Sequence, residues 1–265
     1  MQSMQQLLDI MRALRDPDSG CPWDLQQNFQ SLIPYTIEEA YEVADAIEQN
    51  NLDDIKSELG DLLFQIVFYS QLAEEQHAFN FTDVAESICK KLVRRHPHVF
   101  ADMKVADAEQ QTKEWERLKQ QEREAKAEKN SRVSCLDDVS RTLPSIMRAE
   151  KLQKRAAREG FDWPDVNGVI DKIHEEIDEV KQELNAEVQE RDKLEDEIGD
   201  LFFSCINLSR YVGVDAEKSI RKANLKFERR FRALEENARL KNLDVKDMMI
   251  DELESLWQAV KENEK

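Results

Sequence analysis

Carboxylate side chains occur twice in this sequence in the same arrangement. The first copy is Glu38-Glu39-Ala40-Tyr41-Glu42 followed by Glu58-Leu59-Gly60-Asp61, and the second is Glu175-Glu176-Ile177-Asp178-Glu179 followed by Glu197-Ile198-Gly199-Asp200. Residues three or four apart share one face of a helix, where like charges repel each other. In each copy the spacing forms two such pairs, which are Glu39 with Glu42 and Glu58 with Asp61 in the first, and Glu176 with Glu179 and Glu197 with Asp200 in the second. Two pairs of carboxylates on neighbouring helices predict a cation between them.

The ligand types narrow down the cation. Four carboxylates in each copy, with no nitrogen or sulfur ligand in register, predict a hard-cation site for Mg²⁺, with Mn²⁺ as the alternative ion. A di-iron bundle would need Glu-x-x-His on two helices, and because neither copy has a histidine in register, iron is not expected. A solvated acidic face is the other interpretation, and Glu39 could belong to a capping box opened by Thr36. The duplication favours the metal site, as does an apolar stripe beside each copy, because carboxylates at a buried seam are costly unless they are paired or metal-bound.

The composition predicts the elements that position these carboxylates. The chain has 265 residues, 40% of them hydrophobic and 35% charged, with only six Gly and six Pro. This profile and the absence of an alternating strand pattern predict an all-α fold. The net charge of −18 argues against non-specific nucleic-acid binding. No apolar run approaches the roughly 20 residues of a membrane span. The N-terminus has no apolar signal core, and the four cysteines are scattered. These features predict a cytoplasmic protein.

The second half of the chain repeats the first. Gly160-Phe161-Asp162-Trp163 corresponds to Gly20-Cys21-Pro22-Trp23, and Leu143-x-x-Ile146-Met147-Arg148-Ala149 corresponds to Leu7-x-x-Ile10-Met11-Arg12-Ala13. We predict two tandem four-helix repeats, residues 1–100 and 135–265, joined by a charged helical connector over residues 101–134 that ends near residue 129. One repeat alone exposes a wide apolar helix face, which predicts bundling of two repeats or of two chains.

The acidic signatures, the Gly-x-x-Trp loop and the segment Lys222-Ala-Asn-Leu-Lys-Phe-Glu-Arg-Arg-Phe231 together resemble MazG, a family of nucleoside triphosphate pyrophosphohydrolases in the all-α NTP pyrophosphatase superfamily. The resemblance spans both repeats. It implies Mg²⁺-dependent hydrolysis of a nucleoside triphosphate to the monophosphate and diphosphate. It also implies a homodimer, a broad base preference and a role in removing unwanted nucleotides.

The resemblance also assigns roles to residues. The residues expected to hold Mg²⁺ are Glu176, Glu179, Glu197 and Asp200. The residues expected to contact the nucleotide are Lys172, Glu175, Glu176, Lys193, Asp196, Asn224, Lys226, Arg229, Arg230 and Trp257. Glu175 could orient or deprotonate the attacking water, or it could be a capping or surface residue. Lys226 and Arg230 could bind phosphate oxygens or form surface ion pairs, Asn224 could bind the sugar or the base edge, and Trp257 could simply be core.

The two repeats differ in a way that predicts which one works. The first keeps the carboxylates Glu39, Glu42, Glu58 and Asp61. It has Cys89 where the second repeat has Asn224, and Pro97 ends its basic helix. We expect the C-terminal repeat to be catalytic and the N-terminal repeat to build the dimer, with weaker metal binding.

Two other functions remain open at this stage. One is a pyrophosphatase of the same fold that is specific for a single deoxynucleotide, such as dUTP or dCTP. The other is a non-catalytic helical regulatory protein. The sequence has no Walker-type phosphate loop, which argues against a P-loop ATPase.

Overall fold

The computed structural model describes residues 2–101 and 134–264 throughout, and residues 107, 110, 111, 114, 115, 117, 118, 121 and 122 between these ranges. This part of the chain contains eleven α-helices and no strand, so the all-α prediction is confirmed. None of the described helices is long and apolar enough to cross a bilayer. The chain divides into two compact units, Met1–Glu122 and Arg123–Lys265.

The first unit is built around a hairpin of two long helices. Its helices are α1 (Gln2–Leu14), α2 (Pro22–Gln26), α3 (Ile33–Glu48), α4 (Leu52–Glu75), α5 (Phe81–Arg95) and α6 (Pro97–Phe100). Helix α3 packs along α4, and α1 also packs on α4. The core of the unit consists of Met11, Leu32, Val67, Phe68 and Leu72. The hairpin places the two acidic segments of the first copy on facing helices.

The start of α3 differs from the capping box considered for Thr36. The helix begins at Ile33, and Thr36 lies within it. Pro34 occupies the first turn, where its fixed φ angle and missing N–H suit a helix start. The Thr36 hydroxyl donates to the Leu32 carbonyl at 3.1 Å and lies 2.9 Å from the Tyr69 hydroxyl. The capping-box interpretation of Glu39 was therefore wrong.

The second unit repeats the hairpin and adds a long basic helix. Its helices are α7 (Ser145–Arg158), α8 (Val166–Leu184), α9 (Arg191–Tyr211), α10 (Ala216–Leu240) and α11 (Ile250–Glu262), with a 3₁₀ turn at Val245–Asp247. Helices α8 and α9 form the hairpin, and α7 packs against α9 and α10. A separate core of Leu234, Ala238, Leu256 and Val260 joins α10 to α11.

The first unit extends past residue 100 into the segment predicted as a connector. Glu122 belongs to this unit and accepts hydrogen bonds from Arg94 Nε at 2.9 Å and from Arg95 Nε at 3.2 Å. The Trp115 and His96 rings lie 6.2 Å apart. The predicted end of the connector helix near residue 129 lies outside the described residues, and the predicted division at residues 100 and 135 stays a prediction.

Candidate metal and nucleotide site

Each unit brings carboxylates of its two acidic segments together. In the second unit, ligand oxygens of Glu176 and Glu179 on α8 and of Glu197 on α9 all lie within 4.8 Å of one another. In the first unit the same holds for Glu39 on α3 and for Glu58 and Asp61 on α4. The helical spacing and the antiparallel hairpin explain both clusters, because they direct the i, i+3 faces of the two helices toward each other.

The carboxylate of Glu176 is the most confined of these groups. Glu176 is buried, and its Oε1 lies 2.9 Å from Nζ of Lys172. Its other oxygen, Oε2, is buried and has no hydrogen-bond partner among the described residues. A buried charged oxygen without a partner is costly. The donor set therefore suits a hard divalent cation, which would provide the missing interaction.

The remaining predicted ligands lie beside the two clusters. Asp200 lines the same cavity as Glu176 and Lys172. In the first unit, burial raises the pKa of Glu58, and the negative charge of the neighbouring Glu42 raises it further. Every predicted ligand of both copies therefore lies in or next to an acidic cluster.

The crowding of carboxylates shows in their titration. Partial burial raises the pKa of Glu179, and the neighbouring Glu176 and Glu197 raise it further. Burial likewise raises the pKa of Glu39, with Asp61 as the next contribution. In the second unit, hydrogen bonds to Glu175 and Glu176 raise the pKa of Lys172. Lys172 thus places a positive charge in contact with this cluster.

A cavity of about 780 Å³ opens beside the acidic cluster of the second unit. Lys172, Glu176 and Asp200 lie in its wall together with Trp163 and Phe203. The other lining residues belong to α7, to α9 and to the segments before and after α7, and they are Leu136, Leu152, Gln153, Ala156, Gly160, Phe161, Asp162, Ser204, Asn207 and Arg210. Its volume is in the range of small-molecule binding sites. The cavity therefore offers space for an organic ligand next to the candidate metal ligands.

The Trp163 ring packs onto the first turn of α8. Asp165 caps this helix by accepting hydrogen bonds from the backbone N–H groups of Asn167 and Gly168. A Cβ atom at Gly168 would lie 2.6 Å from Cε3 of Trp163, so only glycine leaves room for the indole there. The Gly-x-x-Trp loop is in this way fixed beside the cavity.

The structure also describes most of the other predicted nucleotide residues of this unit. Lys193 pairs with Glu190 at 2.8 Å. Asn224 and Lys226 are exposed on α10. Trp257 packs against the α10–α11 core, and its ring lies 5.6 Å from that of Phe227. In the described part of the chain, the structure does not bring these four residues or Arg229 and Arg230 into contact with the acidic cluster.

The segments that contain the two acidic copies both match the model of one protein family. The model of the MazG nucleotide pyrophosphohydrolase domain matches residues 27–100 and again residues 166–234. The chain belongs to the MazG family. Each matched segment contains one complete acidic cluster, so the family assignment and the geometry refer to the same residues.

Two relatives resemble this MazG chain over almost its whole length. A nucleoside triphosphate pyrophosphohydrolase of Escherichia coli strain K12 is 48% identical over 264 residues, which cover 100% of this chain and 99% of the relative. A nucleoside triphosphate pyrophosphohydrolase/pyrophosphatase MazG of Thermotoga maritima is 42% identical over 257 residues, covering 97% and 95% respectively. The similarity therefore includes both units.

One feature of this MazG chain was not predicted from the sequence: in each unit a glutamate binds the paired arginines. Glu264 accepts hydrogen bonds from Arg229 Nε at 3.0 Å and from Arg230 Nε at 2.6 Å, as Glu122 does from the arginines of the first unit. In the first unit, the hydrogen bonds from Arg95 and Arg94 lower the pKa of Glu122 to about 2, and the bond from Arg95 contributes most. The signal in the sequence is a tryptophan seven residues before each glutamate, at Trp115 and Trp257.

Proposed function

We propose that this MazG protein hydrolyses nucleoside triphosphates to the monophosphate and diphosphate, with Mg²⁺ as its cofactor and Mn²⁺ as a substitute. The observation that supports this proposal most directly is the buried Oε2 of Glu176, which lacks a partner in the described residues and lies in a carboxylate cluster beside a cavity of about 780 Å³. A cluster that served only as a solvated face would have no need of such burial.

Glu176, Glu179, Glu197 and Asp200 would hold the cation. When bound, it would neutralise phosphate charge and lower the pKa of the attacking water. The side chain of Glu175 is 57% exposed and is oriented by Lys172 at 2.8 Å. It directly precedes Glu176 in the sequence and could accept a proton from that water. Lys226, Arg229 and Arg230 on the basic face of α10 would bind phosphate oxygens, the lysine as a point charge and the arginines as forks.

We assign the working site to the second unit. Residue 207, seven positions after Asp200, is an asparagine that lines the cavity. The residue seven positions after Asp61 in the first unit is Phe68, which is completely buried in the core. Hydrocarbon therefore fills the equivalent position of the first unit, which supports a structural role for that unit with weaker metal binding.

The apolar surface of the second unit supports a homodimer. Phe202 and Phe227 are 65% and 57% exposed. Gly199 lies inside α9 with open space on its Cβ side, although a glycine within a helix costs about 0.5–1 kcal/mol relative to alanine. Close approach of a second copy would explain both features. Sedimentation equilibrium should give the mass of a dimer for the wild type and a lower mass for Phe202→Glu, whereas a monomeric wild type would contradict this assignment.

A product analysis tests the catalytic proposal. The protein is incubated with each common ribo- and deoxyribonucleoside triphosphate and Mg²⁺, and products are identified by ³¹P nuclear magnetic resonance. We expect diphosphate and the monophosphate from several bases, and loss of activity with EDTA or in Glu176→Gln. The control Asp178→Asn removes a carboxylate of the same helix that pairs with Lys181 outside the cluster, and it should remain active.

The same assay decides between the alternatives. Turnover of a single deoxynucleotide would identify a base-specific pyrophosphatase. Binding of Mg²⁺ without turnover of any nucleotide would indicate a regulatory protein, and release of orthophosphate would contradict the proposed bond cleavage. As the place of action we propose the cytoplasm, where the four cysteines, all free in the structure, would stay reduced.

A further inference from the structure

Arg148 on α7 has a charged side chain whose balance within the unit is incomplete. The residue is half-buried, and its Nε atom is buried without a hydrogen-bond partner among the described residues. The carboxylate closest to it along α7, that of Glu150, pairs instead with Lys154 at 2.5 Å. A buried donor on a charged group is costly until an acceptor binds to it. The guanidinium of Arg148 therefore still needs an acceptor.

The first unit shows how the corresponding arginine is balanced within a unit. This residue is Arg12, which pairs with Asp9 at 3.1 Å and lies 3.8 Å from a carboxylate oxygen of Glu74. The repeat places Ser145 at the position of Asp9 and Gly213 at the position of Glu74. The second unit thus has the arginine but neither of the two carboxylates.

The Arg148 side chain lines an apolar groove of about 750 Å³ between α7, α9 and α10. Gly199, Phe202 and Ile206 form part of the α9 side of this groove. Phe202 is 65% exposed, and Gly199 has open space on its Cβ side. The groove therefore belongs to the surface on which a second copy is proposed to pack. Its chemistry fits a partner that brings both apolar side chains and a carboxylate.

Glu195 is an exposed carboxylate on the same face of α9. It precedes Gly199 by four residues and Phe202 by seven, so that the three residues form one stripe along the helix. The chain thus has an exposed acid beside the apolar surface whose groove contains the unbalanced arginine.

Two-fold symmetry brings this acid to the groove of a second copy. Interfaces between identical copies are mostly two-fold, so that one surface patch faces itself. With the axis near Gly199, the two α9 helices run antiparallel. Glu195 of one copy then lies opposite the position four residues after Gly199 in the other copy. That position is Phe203, which lines the groove together with Arg148.

We propose that a second copy of this chain packs on the groove and that its Glu195 forms an ion pair with Arg148. The inference rests on the proposed homodimer and adds the charge contact that fixes how the two copies align. By symmetry the pair forms twice in each dimer. Arg12 of the first unit has carboxylates of its own, so it offers no comparable contact.

Two charge-reversal variants of the full chain test whether the pair forms between chains. Arg148→Glu and Glu195→Arg each place like charges at both contacts of their own homodimer. A mixed dimer of the two variants has opposite charges at both contacts. In an equimolar mixture we expect the mixed dimer to exceed either homodimer about tenfold, because like charges across an interface suppress wrong pairings.

Native mass spectrometry of chains with tags of different mass counts these dimers. The mixture is incubated for as long as two tagged wild-type chains need to exchange completely. An excess of the mixed dimer supports the ion pair, whereas a statistical proportion of mixed dimers contradicts it.

Arg12→Glu is the matched control for Arg148→Glu, because it reverses the corresponding arginine of the first unit. Mixed with Glu195→Arg, it should give the statistical proportion of mixed dimers, and an excess there would contradict the assignment to Arg148. Glu195→Arg keeps the test valid if Arg148→Glu does not fold, because residue 195 is exposed. Sedimentation equilibrium should show that Glu195→Arg forms a dimer about tenfold weaker than the wild type, and an unchanged dimer would contradict the pair.

These measurements separate the ion pair from the proposals on which it rests. A dimeric wild type with a statistical mixture of the two variants contradicts the pair and leaves the homodimer in place. A monomeric wild type contradicts both. None of the measurements depends on turnover, so a failure of the ion pair stays distinguishable from a failure of the proposed hydrolysis.

Discussion

Lys172 and Glu176 form a partly buried ion pair, with 2.9 Å between Nζ of the lysine and Oε1 of the carboxylate. The lysine stands in for the positive charge that a bound cation would bring. Lys172→Met should therefore lower the stability of the metal-free protein by about 1–2 kcal/mol, less than for a fully buried pair because the lysine is partly exposed. Saturating Mg²⁺ should make the melting temperatures of Lys172→Met and of the wild type more similar than they are without the ion. An equal difference with and without Mg²⁺ would show that the cation does not interact with this pair.

The two acidic clusters should respond differently to the loss of one carboxylate. Glu176→Gln is expected to abolish diphosphate release, because it removes the buried ligand beside the cavity. Glu39→Gln alters the first unit, in which the completely buried Phe68 belongs to the core, and it should retain most of the activity. The measurement is steady-state diphosphate release at saturating Mg²⁺. The reverse result would mean that the working unit has been assigned incorrectly.

Glu264 holds the two arginines expected to bind phosphate. Its hydrogen bond from Arg230 is the largest contribution that lowers the pKa of Glu264, and Arg229 adds to it. Glu264→Gln should weaken these contacts and lower KM for nucleoside triphosphates severalfold at similar kcat. Glu262→Gln, an exposed change at the end of α11 and two residues before Glu264, is the control. An unchanged KM in Glu264→Gln would argue against phosphate binding by Arg229 and Arg230.

The ion pair of Arg15 and Glu75 should make stability depend on pH. The hydrogen bond from Arg15 lowers the pKa of Glu75 below its ordinary 4.5. A carboxylate with a lowered folded-state pKa stabilises the fold above its unfolded pKa, and the contribution is lost as pH falls through the folded-state value. Glu75→Gln should cost about 1–2 kcal/mol at pH 7, because the guanidinium loses its partner, and progressively less below about pH 4.

Urea unfolding of wild type and Glu75→Gln at several pH values measures this dependence. The control is Glu86→Gln, which removes the partner of Lys90 in an exposed pair whose side chains are 59% and 75% accessible. Such a pair should contribute little at any pH. A constant difference between Glu75→Gln and wild type from pH 7 to pH 3 would contradict the assigned contact.

Much of the fold and of the acidic site could be predicted from local pattern. Glu176 and Glu197 were found because helical spacing alone places carboxylates on one face and a repeat shows which spacing matters. Gln153 could not be found in this way, since nothing in its neighbourhood distinguishes it from any other polar residue of a helix. Its hydrogen bond to the Phe203 carbonyl joins positions 50 residues apart along the chain, and the cavity that it lines exists only after three helices pack. Glu122 and Glu264 were missed for the same reason.

The pairing of Glu122 with Arg94 and Arg95 has a practical consequence for anyone who wishes to study the N-terminal half in isolation. A fragment cut at residue 100 would leave both guanidinium groups without their shared counter-ion and would remove the Trp115 ring from His96. A fragment of the N-terminal half should therefore end beyond residue 122, so that it keeps Glu122 as the partner of Arg94 and Arg95.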